Sequence, residues 1–335
     1  MTLAVLLAKF AFCAAVIGTA GFVLTRSADR IGQATGLSGG WMGLALLATV
    51  TSLPELASGI SSVAFLDAPN LAVGNALGAC VFNLVFLVVV DAVQRDQPIY
   101  RRASSAHLLS AAFGVVMLGL VALSLVMGAN APALVHLGVY SPLLLVLYLL
   151  ALRSVYAHER ILSQVEQPVI APDKDAISLS REWVRFGGAA GAVLAAGIWL
   201  PSIGAELAAT LGFSRSFVGT LFMAFATTLP EMAVTLAALR LGALDMAFGN
   251  LLGSNLFNVT ILAIDDAAYL RGPLLADAAP VHAGTAVAAC VMSGMVIIGL
   301  ILRPQGRVLR VVSWVSVGLL AIYLVNAALV FVQEG

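Results

Sequence analysis

Two glutamates, each at the end of a Leu-Pro-Glu triplet, interrupt long apolar stretches of the chain. Glu55 ends the segment GLALLATVTSLPE, which starts at Gly43, and Glu231 ends GTLFMAFATTLPE, which starts at Gly219. Six of the thirteen aligned positions are identical. An acidic residue at the centre of a membrane helix costs about 2.5–3.5 kcal/mol even on lenient scales, so such residues are functional candidates by default. The pair is therefore the first candidate site.

Prolines and hydroxyl residues stand directly before the two glutamates. Because a proline has no N–H and clashes with the carbonyl four residues earlier, Pro54 and Pro230 are predicted to break their helices and to free the carbonyls of Val50 and Ala226. In lipid such a break is tolerated where protein, water or an ion satisfies the freed groups. The neighbouring hydroxyl residues are Thr51, Ser52, Thr227 and Thr228. Carboxylate, hydroxyl and carbonyl oxygens without nearby thiolates or imidazoles are typical of a site for hard cations such as Ca²⁺ or Na⁺.

A second repeated segment follows each glutamate by about twenty residues. It reads AVGNALGACVFNL from Ala72 and AFGNLLGSNLFNV from Ala247, with seven of thirteen positions identical. Ser254 shares a helical face with Asn258, because four residues separate them. The amide and hydroxyl oxygens of Asn83, Asn258 and Ser254 can complete a coordination shell, and interhelical hydrogen bonding is their alternative role. We interpret these three residues as cation ligands.

Other polar residues of the apolar stretches are assigned structural positions. Asp91 and Asp266 occupy equivalent places eight residues after Asn83 and Asn258, and we interpret them as helix-end charges at the membrane interface. Asn75 and Asn250 lie near predicted helix starts, where asparagine often serves as a turn or cap residue. The histidines lack ligand spacing and are expected at surface or interfacial positions; they are His107, His136, His158 and His282.

The composition identifies lipid as the solvent for most of the chain. Of the 335 residues, 61% are hydrophobic and 10% charged, and the mean hydropathy is +1.03. Soluble domains carry about 25% charged residues, so a soluble globular protein is excluded. A net charge of zero argues against a nucleic-acid binder, which needs a basic surface. A membrane helix needs about 20 apolar residues. Ten spans of that kind are predicted, at 4–25, 40–65, 70–92, 104–127, 132–153, 184–208, 216–240, 245–268, 278–302 and 309–332.

The spans divide into two halves of five. The predicted organisation is a first repeat over 1–153 with its motif at 43–84, a polar linker over 154–183, and a second repeat over 184–335 with its motif at 219–259. Equivalent helices are separated by five spans, an odd number, so they cross the membrane in opposite directions. The sequence thus predicts an all-α, polytopic membrane protein of ten helices in two inverted five-helix repeats, an architecture of secondary transporters.

The basic residues predict the orientation. If the linker is placed in the cytoplasm, 14 of the 17 Lys and Arg residues fall on the cytoplasmic side, and only Lys9, Arg215 and Arg271 fall elsewhere. Cytoplasmic loops are enriched in these residues. We therefore expect both termini outside and the linker inside, in the plasma or inner membrane of a cell.

The two motifs resemble the α-repeats of the sodium/calcium exchanger family, within the cation/Ca²⁺ exchanger superfamily. TSLPE and TTLPE stand on inverted repeats, and each precedes a GN…G…FN segment. Ten helices in two halves around a central cytoplasmic loop extend the resemblance over the whole membrane part. The resemblance implies a fold in which helices 2, 3, 7 and 8 hold the ions while helices 1 and 6 slide across them.

The resemblance also implies a set of ligands. The cation sites would centre on Glu55 and Glu231, with Asn83 and Asn258 at the middle of the cluster. The backbone oxygens would come from Ala48 and Ala224, and the hydroxyl or carbonyl ligands from Thr51, Ser52, Thr227, Thr228 and Ser254.

Two positions depart from the family pattern. The first repeat reads Gly78-Ala79-Cys80 where the family commonly has a central serine, so one hydroxyl expected for a Na⁺ site is missing. The second repeat has Asn258 where many sodium-coupled members have an aspartate. Both changes leave the glutamate pair intact but leave Na⁺ or H⁺ coupling open. TSLPE favours Na⁺, because proton-coupled Ca²⁺ exchangers usually have a different signature around the glutamate.

These features predict a secondary active antiporter, not an enzyme, that exchanges Ca²⁺ for Na⁺ by alternating access. The alternatives are an H⁺/Ca²⁺ or other cation/H⁺ antiporter, a membrane protein that binds cations without transporting them, and a passive channel. The expected partners are inorganic cations and the lipid bilayer. No cofactor, nucleic acid or obligatory protein partner is expected.

Overall fold

Apolar runs long enough to cross a membrane form helices along the chain. The computed structural model describes residues 3–94, 96–165, 178–210, 223–308 and 310–334. Within these ranges, nine helical segments have the length and hydropathy of membrane spans. Large apolar side chains such as Phe12, Leu149 and Val332 are exposed on their outer faces, which suits contact with lipid. The predicted all-α, multi-pass membrane architecture is confirmed.

The described residues form fifteen α-helices, one π-helix and one 3₁₀ turn. In chain order they are α1 (Leu3–Thr35), α2 (Gly39–Trp41), a π-helix (Met42–Leu47), α3 (Ala48–Thr51), α4 (Leu53–Ala64), α5 (Pro69–Val93), α6 (Ile99–Arg102), α7 (Ala106–Met127), a 3₁₀ turn (Gly128–Asn130), α8 (Tyr140–Val165), α9 (Leu179–Thr210), α10 (Met223–Thr227), α11 (Leu229–Arg240), α12 (Leu244–Ala268), α13 (Leu274–Asp277), α14 (Val281–Leu302) and α15 (Trp314–Glu334). The predicted seventh span, 216–240, corresponds to α10 and α11, and its residues 216–222 lie outside the described ranges.

Several predicted boundaries differ from the structure. The fifth span starts at Tyr140 instead of residue 132, because Ala133–Leu134 (β1) and Leu137–Gly138 (β2) form an antiparallel hairpin. The first span continues ten residues beyond residue 25, where Arg30 Nη1 lies 2.9 Å from Glu182 Oε1 of α9. That ion pair supports a helical extension that hydropathy alone does not indicate.

Helices also extend into the predicted linker from both ends. Helix α8 continues to Val165, and α9 begins at Leu179. The most polar part of the linker, residues 166–177, lies outside the described ranges.

Helices α1 and α9 pack along each other and against the broken helices. A Cβ on Gly197 of α9 would stand 2.5 Å from Pro54 Cγ and 3.5 Å from Pro230 Cγ. The glycine therefore lets α9 rest directly on both prolines. A Cβ on Gly21 of α1 would touch Val234 of α11 at 3.4 Å. These two helices therefore cover the broken helices on one side.

The π-helix packs backbone to backbone against α12. A Cβ on Gly43 would stand 2.3 Å from Met246 O, and a Cβ on Gly249 would stand 2.3 Å from Gly40 O. Only glycine permits such an approach, because every other side chain starts with a Cβ. The contact fixes the chain before α3 against α12, the most enclosed span of the described chain.

Asp91, near the end of α5, forms hydrogen bonds with the starts of α6 and α15. Its Oδ1 accepts a hydrogen bond from Ile99 N at 3.1 Å, at the start of α6. Its Oδ2 accepts from Ser313 N at 2.6 Å and from Ser316 Oγ at 2.8 Å, at the start of α15. The side chain is fully buried.

Asp266, near the end of α12, makes the corresponding contacts in the other half. Its Oδ1 accepts from Leu274 N and from Tyr140 OH, both at 2.7 Å. Its Oδ2 accepts from Gly138 N at 2.9 Å and from Ser141 Oγ at 2.5 Å. These donors stand at the starts of α13 and α8.

The partners of the two aspartates occupy equivalent positions of the two repeats, as the pairs Ile99/Leu274, Ser313/Gly138 and Ser316/Ser141. Each aspartate bonds one segment of its own repeat and one segment of the other. Both aspartates lie near helix ends, as the sequence predicts, but their side chains are buried inside the protein instead of lying at an interface. A carboxylate with several donors can be buried, because its hydrogen bonds replace those lost from water. The similarity of the two repeats thus includes the polar contacts that join α5 and α12 to their neighbouring helices, in addition to the two motifs.

The expectation of surface positions is also wrong for two of the four histidines. His107 is 1% exposed, stacks on Phe248 with ring centroids 5.3 Å apart, and has Nε2 3.0 Å from Asp245 Oδ1. His282, its counterpart in the second half, is 5% exposed. His136 and His158 are partly exposed. A single acidic partner, distant in sequence, explains how His107 is accommodated.

Replacement of Asp266 by alanine is expected to destabilise the fold strongly. It would leave four buried donors without an acceptor, and each such donor costs roughly 1–3 kcal/mol. The thermal unfolding midpoint of the purified protein in detergent should fall well below that of the wild type. Asp277→Ala is the matched control, because Asp277 is exposed and, among the described residues, accepts a hydrogen bond from Tyr269 OH alone. Equal midpoints for the two variants would contradict the structural role of Asp266.

Candidate cation site

Two helix breaks create the site. The chain leaves helical geometry at Ser52 (φ −90°, ψ 6°), between α3 and α4, and at Thr228 (φ −81°, ψ −1°), between α10 and α11. Pro54 and Pro230 then lie in the first turns of α4 and α11. Proline is tolerated there because the first N–H groups of a helix have no helical acceptor. The prolines therefore begin new helices at these positions.

The glutamates follow immediately, in the first turns of α4 and α11. The free N–H groups and the helix dipole make this end of a helix electropositive, which favours a carboxylate. Glu55 and Glu231 are both fully buried, and they are close enough to repel each other. Neither carboxylate has an Arg, Lys or His ion-pair partner in the part of the chain that the structure describes. The described residues therefore provide no basic side chain that could balance a negative charge on these carboxyl groups.

The oxygens of the two carboxylates are mostly free. Glu231 Oε1 accepts a hydrogen bond from Ser52 Oγ at 2.8 Å, so the two repeats meet here. Glu231 Oε2 and both Glu55 oxygens accept none from the described residues. The hydroxyls of Thr51 and Ser254 lie near Glu231, and that of Thr227 lies near Glu55. Three of the four carboxylate oxygens are thus left without a hydrogen-bond donor among the described residues.

The predicted amide and hydroxyl ligands are also buried and unpaired. Asn83, Asn258 and Ser254 are fully buried, and their side-chain polar atoms make no hydrogen bond with any described residue. Interhelical hydrogen bonding, the alternative role for these residues, is therefore absent among the described contacts. Buried polar groups are nearly always paired, so a cluster without partners requires a ligand or ordered water. These side chains occupy the two central helices, α5 and α12, beside the broken ones.

A second layer of contacts orients the threonines. Thr227 Oγ1 lies 3.2 Å from Asn75 Oδ1, and Thr51 Oγ1 lies 3.4 Å from Asn250 Oδ1. Asn250 Nδ2 also donates to Glu231 O at 3.2 Å. Asn75 and Asn250 therefore join helices across the site, which the interpretation as caps missed. Their presence at equivalent places in both repeats was the sequence signal for this role.

The carbonyls of Ala48 and Ala224 lie beside these threonines. Ala48 O accepts from Thr51 Oγ1 at 3.3 Å, and Ala224 O accepts from Thr227 Oγ1 at 3.2 Å and from Thr228 Oγ1 at 2.9 Å. Both alanines are fully buried. Each carbonyl also accepts a backbone hydrogen bond, from Ser52 N to Ala48 O and from Thr228 N to Ala224 O, both at 3.1 Å. Both lone pairs of each oxygen are therefore engaged in this structure, so a cation at either carbonyl would have to replace one of these donors.

The two repeats differ where the central helices cross. Ser254 has Ala79 as its counterpart, and Asn255 has Cys80. Asn255 Nδ2 donates to Cys80 O at 3.3 Å, and Cys80 Sγ lies 3.7 Å from Asn255 O. This pair joins α5 to α12, while Ala79 offers no side-chain oxygen. The hydroxyl supply is therefore unequal on the two sides of the site.

Helices broken at equivalent places in inverted repeats, around paired buried carboxylates, define a secondary ion transporter. The family model for "Sodium/calcium exchanger protein" matches residues 5–156 and 182–331. The chain belongs to this sodium/calcium exchanger family and is a multi-pass membrane transporter of the cation/Ca²⁺ exchanger type.

Individual relatives agree with this assignment. The uncharacterized membrane protein MJ0091 of Methanocaldococcus jannaschii is 24% identical over 93% of this chain and 92% of its own length. The putative antiporter CaxA of Alkalimonas amylolytica is 29% identical over 81% of this chain and 82% of its own length. A solved structure of the sodium-calcium exchanger NCX_Mj superposes with a TM-score of 0.73 at 20% identity, over 98% of this chain and 99% of that one. The likeness to this last structure demonstrates the shared fold.

Neutralising either glutamate is expected to abolish high-affinity Ca²⁺ binding. Glu55→Gln and Glu231→Gln keep the side-chain size but remove the negative charge that would balance the cation. Equilibrium binding of ⁴⁵Ca²⁺ to the purified variants is the measurement. Glu206→Gln, at an exposed residue of α9, is the matched control and should bind like the wild type. Wild-type affinity in both site variants would exclude the pair as ligands.

Proposed function

We propose that the protein exchanges Ca²⁺ for Na⁺ by alternating access, with Glu55 and Glu231 as the charged ligands common to both ions. The observation that carries this proposal is the cluster of buried, unpaired oxygens around two uncompensated carboxylates. Oxygen ligands of this kind suit Ca²⁺ and Na⁺. Family membership supports the same substrate class.

The same charges favour exchange over uniport. A site with two bare carboxylates is costly to carry through a low-dielectric barrier. A site neutralised by one Ca²⁺, or by monovalent cations, loses most of that cost. The empty protein should therefore switch slowly between the states open to the two membrane faces, and the ion-loaded protein should switch readily. A channel has no such requirement, and a protein that only binds cations needs no inverted repeat.

The ligands are proposed in two groups. The carboxylates of Glu55 and Glu231, with the amide oxygens of Asn83 and Asn258, would hold the divalent ion. Hydroxyl and backbone oxygens would complete this site and the Na⁺ positions; they come from Ala48, Thr51, Ser52, Ala224, Thr227, Thr228 and Ser254. Breaks at Pro54 and Pro230 would keep the backbone oxygens turned towards the ions.

Proton coupling is the second candidate function, and two residues favour it. Asn258 supplies no charge at the centre of the site, and Ala79 supplies no hydroxyl. Both reduce the number of oxygens available for several Na⁺ ions, whereas two carboxylates alone can exchange protons for Ca²⁺. We place the transporter in the cell membrane with the linker in the cytoplasm and both termini outside, on the distribution of basic residues.

Proteoliposomes loaded with Na⁺ and diluted into Na⁺-free buffer should take up Ca²⁺. The outward Na⁺ gradient supplies the free energy, because both ions compete for the same carboxylates. Liposomes loaded with K⁺ and liposomes with only a pH gradient are the controls, and Glu231→Gln protein provides the inactive reference. Uptake that follows the pH gradient and ignores Na⁺ would establish proton coupling instead.

Ala79→Ser is expected to strengthen Na⁺ coupling. The new hydroxyl would match Ser254 in the other repeat, and one added oxygen ligand worth about 1 kcal/mol changes affinity roughly fivefold. The Na⁺ concentration for half-maximal Ca²⁺ exchange should therefore fall by about that factor. Ala111→Ser, at a buried alanine of the apolar core on α7, controls for a general effect of a buried hydroxyl. An unchanged Na⁺ dependence would place position 79 outside the Na⁺ site.

A further inference from the structure

Asp265 is a buried carboxylate that the proposed site does not use. It is fully buried on α12, and neither Oδ1 nor Oδ2 accepts a hydrogen bond from a described residue. None of the ion pairs in the described ranges includes it. Its neighbour Asp266, in contrast, accepts four hydrogen bonds. A structural role of the Asp266 kind therefore does not explain why an acid stands at position 265.

The space for this carboxylate is made by a glycine on the broken helix. A Cβ on Gly59 of α4 would stand 2.3 Å from Asp265 Oδ2 and 2.7 Å from Oδ1. Any larger residue at position 59 would displace the carboxylate. Gly59 lies four residues after Glu55, so the two share one face of α4. Asp265 is thus positioned about one helical turn along α4 from a principal ligand of the proposed site.

Asp265 also shares a helical face with the candidate ligands of α12. Asn250, Ser254, Asn258 and Asp265 are spaced by four, four and seven residues, which places them along one stripe. Seven residues correspond to about 10.5 Å along the helix axis. The stripe leads from the proposed cation site towards the end of α12 at Ala268.

That end of α12 faces away from the linker. At the opposite end, Asp245 lines a cavity together with Glu159 of α8, the helix that leads into the linker. The acid therefore lies on one side of the site, between the glutamate pair and the membrane face opposite the linker.

No counterpart of this acid exists in the other repeat. The equivalents of Asp265 and Gly59 are Val90 and Thr235. Asp265 therefore has no symmetry-related carboxylate. The regions between the central site and the two membrane faces differ by this one acidic residue.

We propose that Asp265 is a second cation-binding carboxylate, on the route between the Glu55/Glu231 site and the membrane face opposite the linker. The cation it would receive is the transported divalent ion. An unpaired buried carboxylate is unfavourable, and a passing Ca²⁺ supplies the missing partner. This inference rests on the proposed function, because it assigns a step of the same ion path.

The test is the Ca²⁺ dependence of exchange measured separately at the two membrane faces, in proteoliposomes sorted by orientation. Asp265→Asn should raise the half-saturating Ca²⁺ concentration at the face opposite the linker by about fivefold, the effect of one lost charge contact of ~1 kcal/mol. The value at the linker face should not change. Gly59→Ala keeps Asp265 but displaces its carboxylate. It should therefore also raise the half-saturating Ca²⁺ concentration at the face opposite the linker.

Asp277→Asn is the matched control, because it removes an exposed acid beyond the same end of α12. It should leave both half-saturating concentrations unchanged. Asp265→Asn values equal to wild type at both faces would overturn the proposal and identify a permanently neutral carboxyl group. An equal shift at both faces would also overturn it and indicate a general structural effect.

Failure of the proposed function has a separate signature. Wild-type protein without Ca²⁺ flux, or wild-type flux in Glu55→Gln and Glu231→Gln, would overturn both proposals together. Normal wild-type exchange, lost in the two glutamine variants and unaffected by Asp265→Asn, would overturn only the role of Asp265.

Discussion

The burial of two carboxyl groups without a basic partner among the described residues is the constraint on which the site depends. Glu55 and Glu231 have no basic partner among the described residues, and the free N–H groups at the starts of α4 and α11 offset only part of their charge. The helix breaks supply these N–H groups, because the interior of an unbroken helix has none free. The same breaks expose the oxygens that can share a cation. The unfavourable charge of the empty site and the capacity for ion exchange thus have one physical origin.

Holding such a site together requires rigid polar contacts away from it. Asp91 and Asp266 provide them by joining each central helix to the starts of neighbouring helices with charge-assisted hydrogen bonds. Glycines at positions 43 and 249 bring the π-helix and α12 into backbone contact. The frame is therefore fixed by satisfied polar groups, while the site keeps unsatisfied ones. Under the proposed function, cations complete the site and leave the frame unchanged.

Much of this arrangement could be predicted because it depends on local sequence and on duplication. Proline position predicted both helix breaks, hydropathy predicted the spans, and the repeat predicted the opposed glutamates. The errors concerned contacts between residues distant in sequence: Asp91 with Ser313, His107 with Asp245 and Arg30 with Glu182. Hydropathy treats each polar residue alone, so it cannot distinguish a charge at a lipid interface from one satisfied inside the fold. Asp265 needed the structure for the opposite reason, because a missing hydrogen-bond partner is visible only in the folded protein.

The differences between the repeats carry information that their similarity does not. A perfectly symmetric inverted repeat would present equivalent routes from the two membrane faces to the central site. Here Ser254 has Ala79 as its counterpart in the other repeat, and Asp265 and Gly59 have Val90 and Thr235. All three differences lie on or beside the helix faces that form the site, whereas the aspartates of the frame are the same in both halves. Because symmetry fixes the scaffold, any inequality between the two directions of transport must arise at such positions, and an added carboxylate on one route changes the electrostatic energy of a cation most.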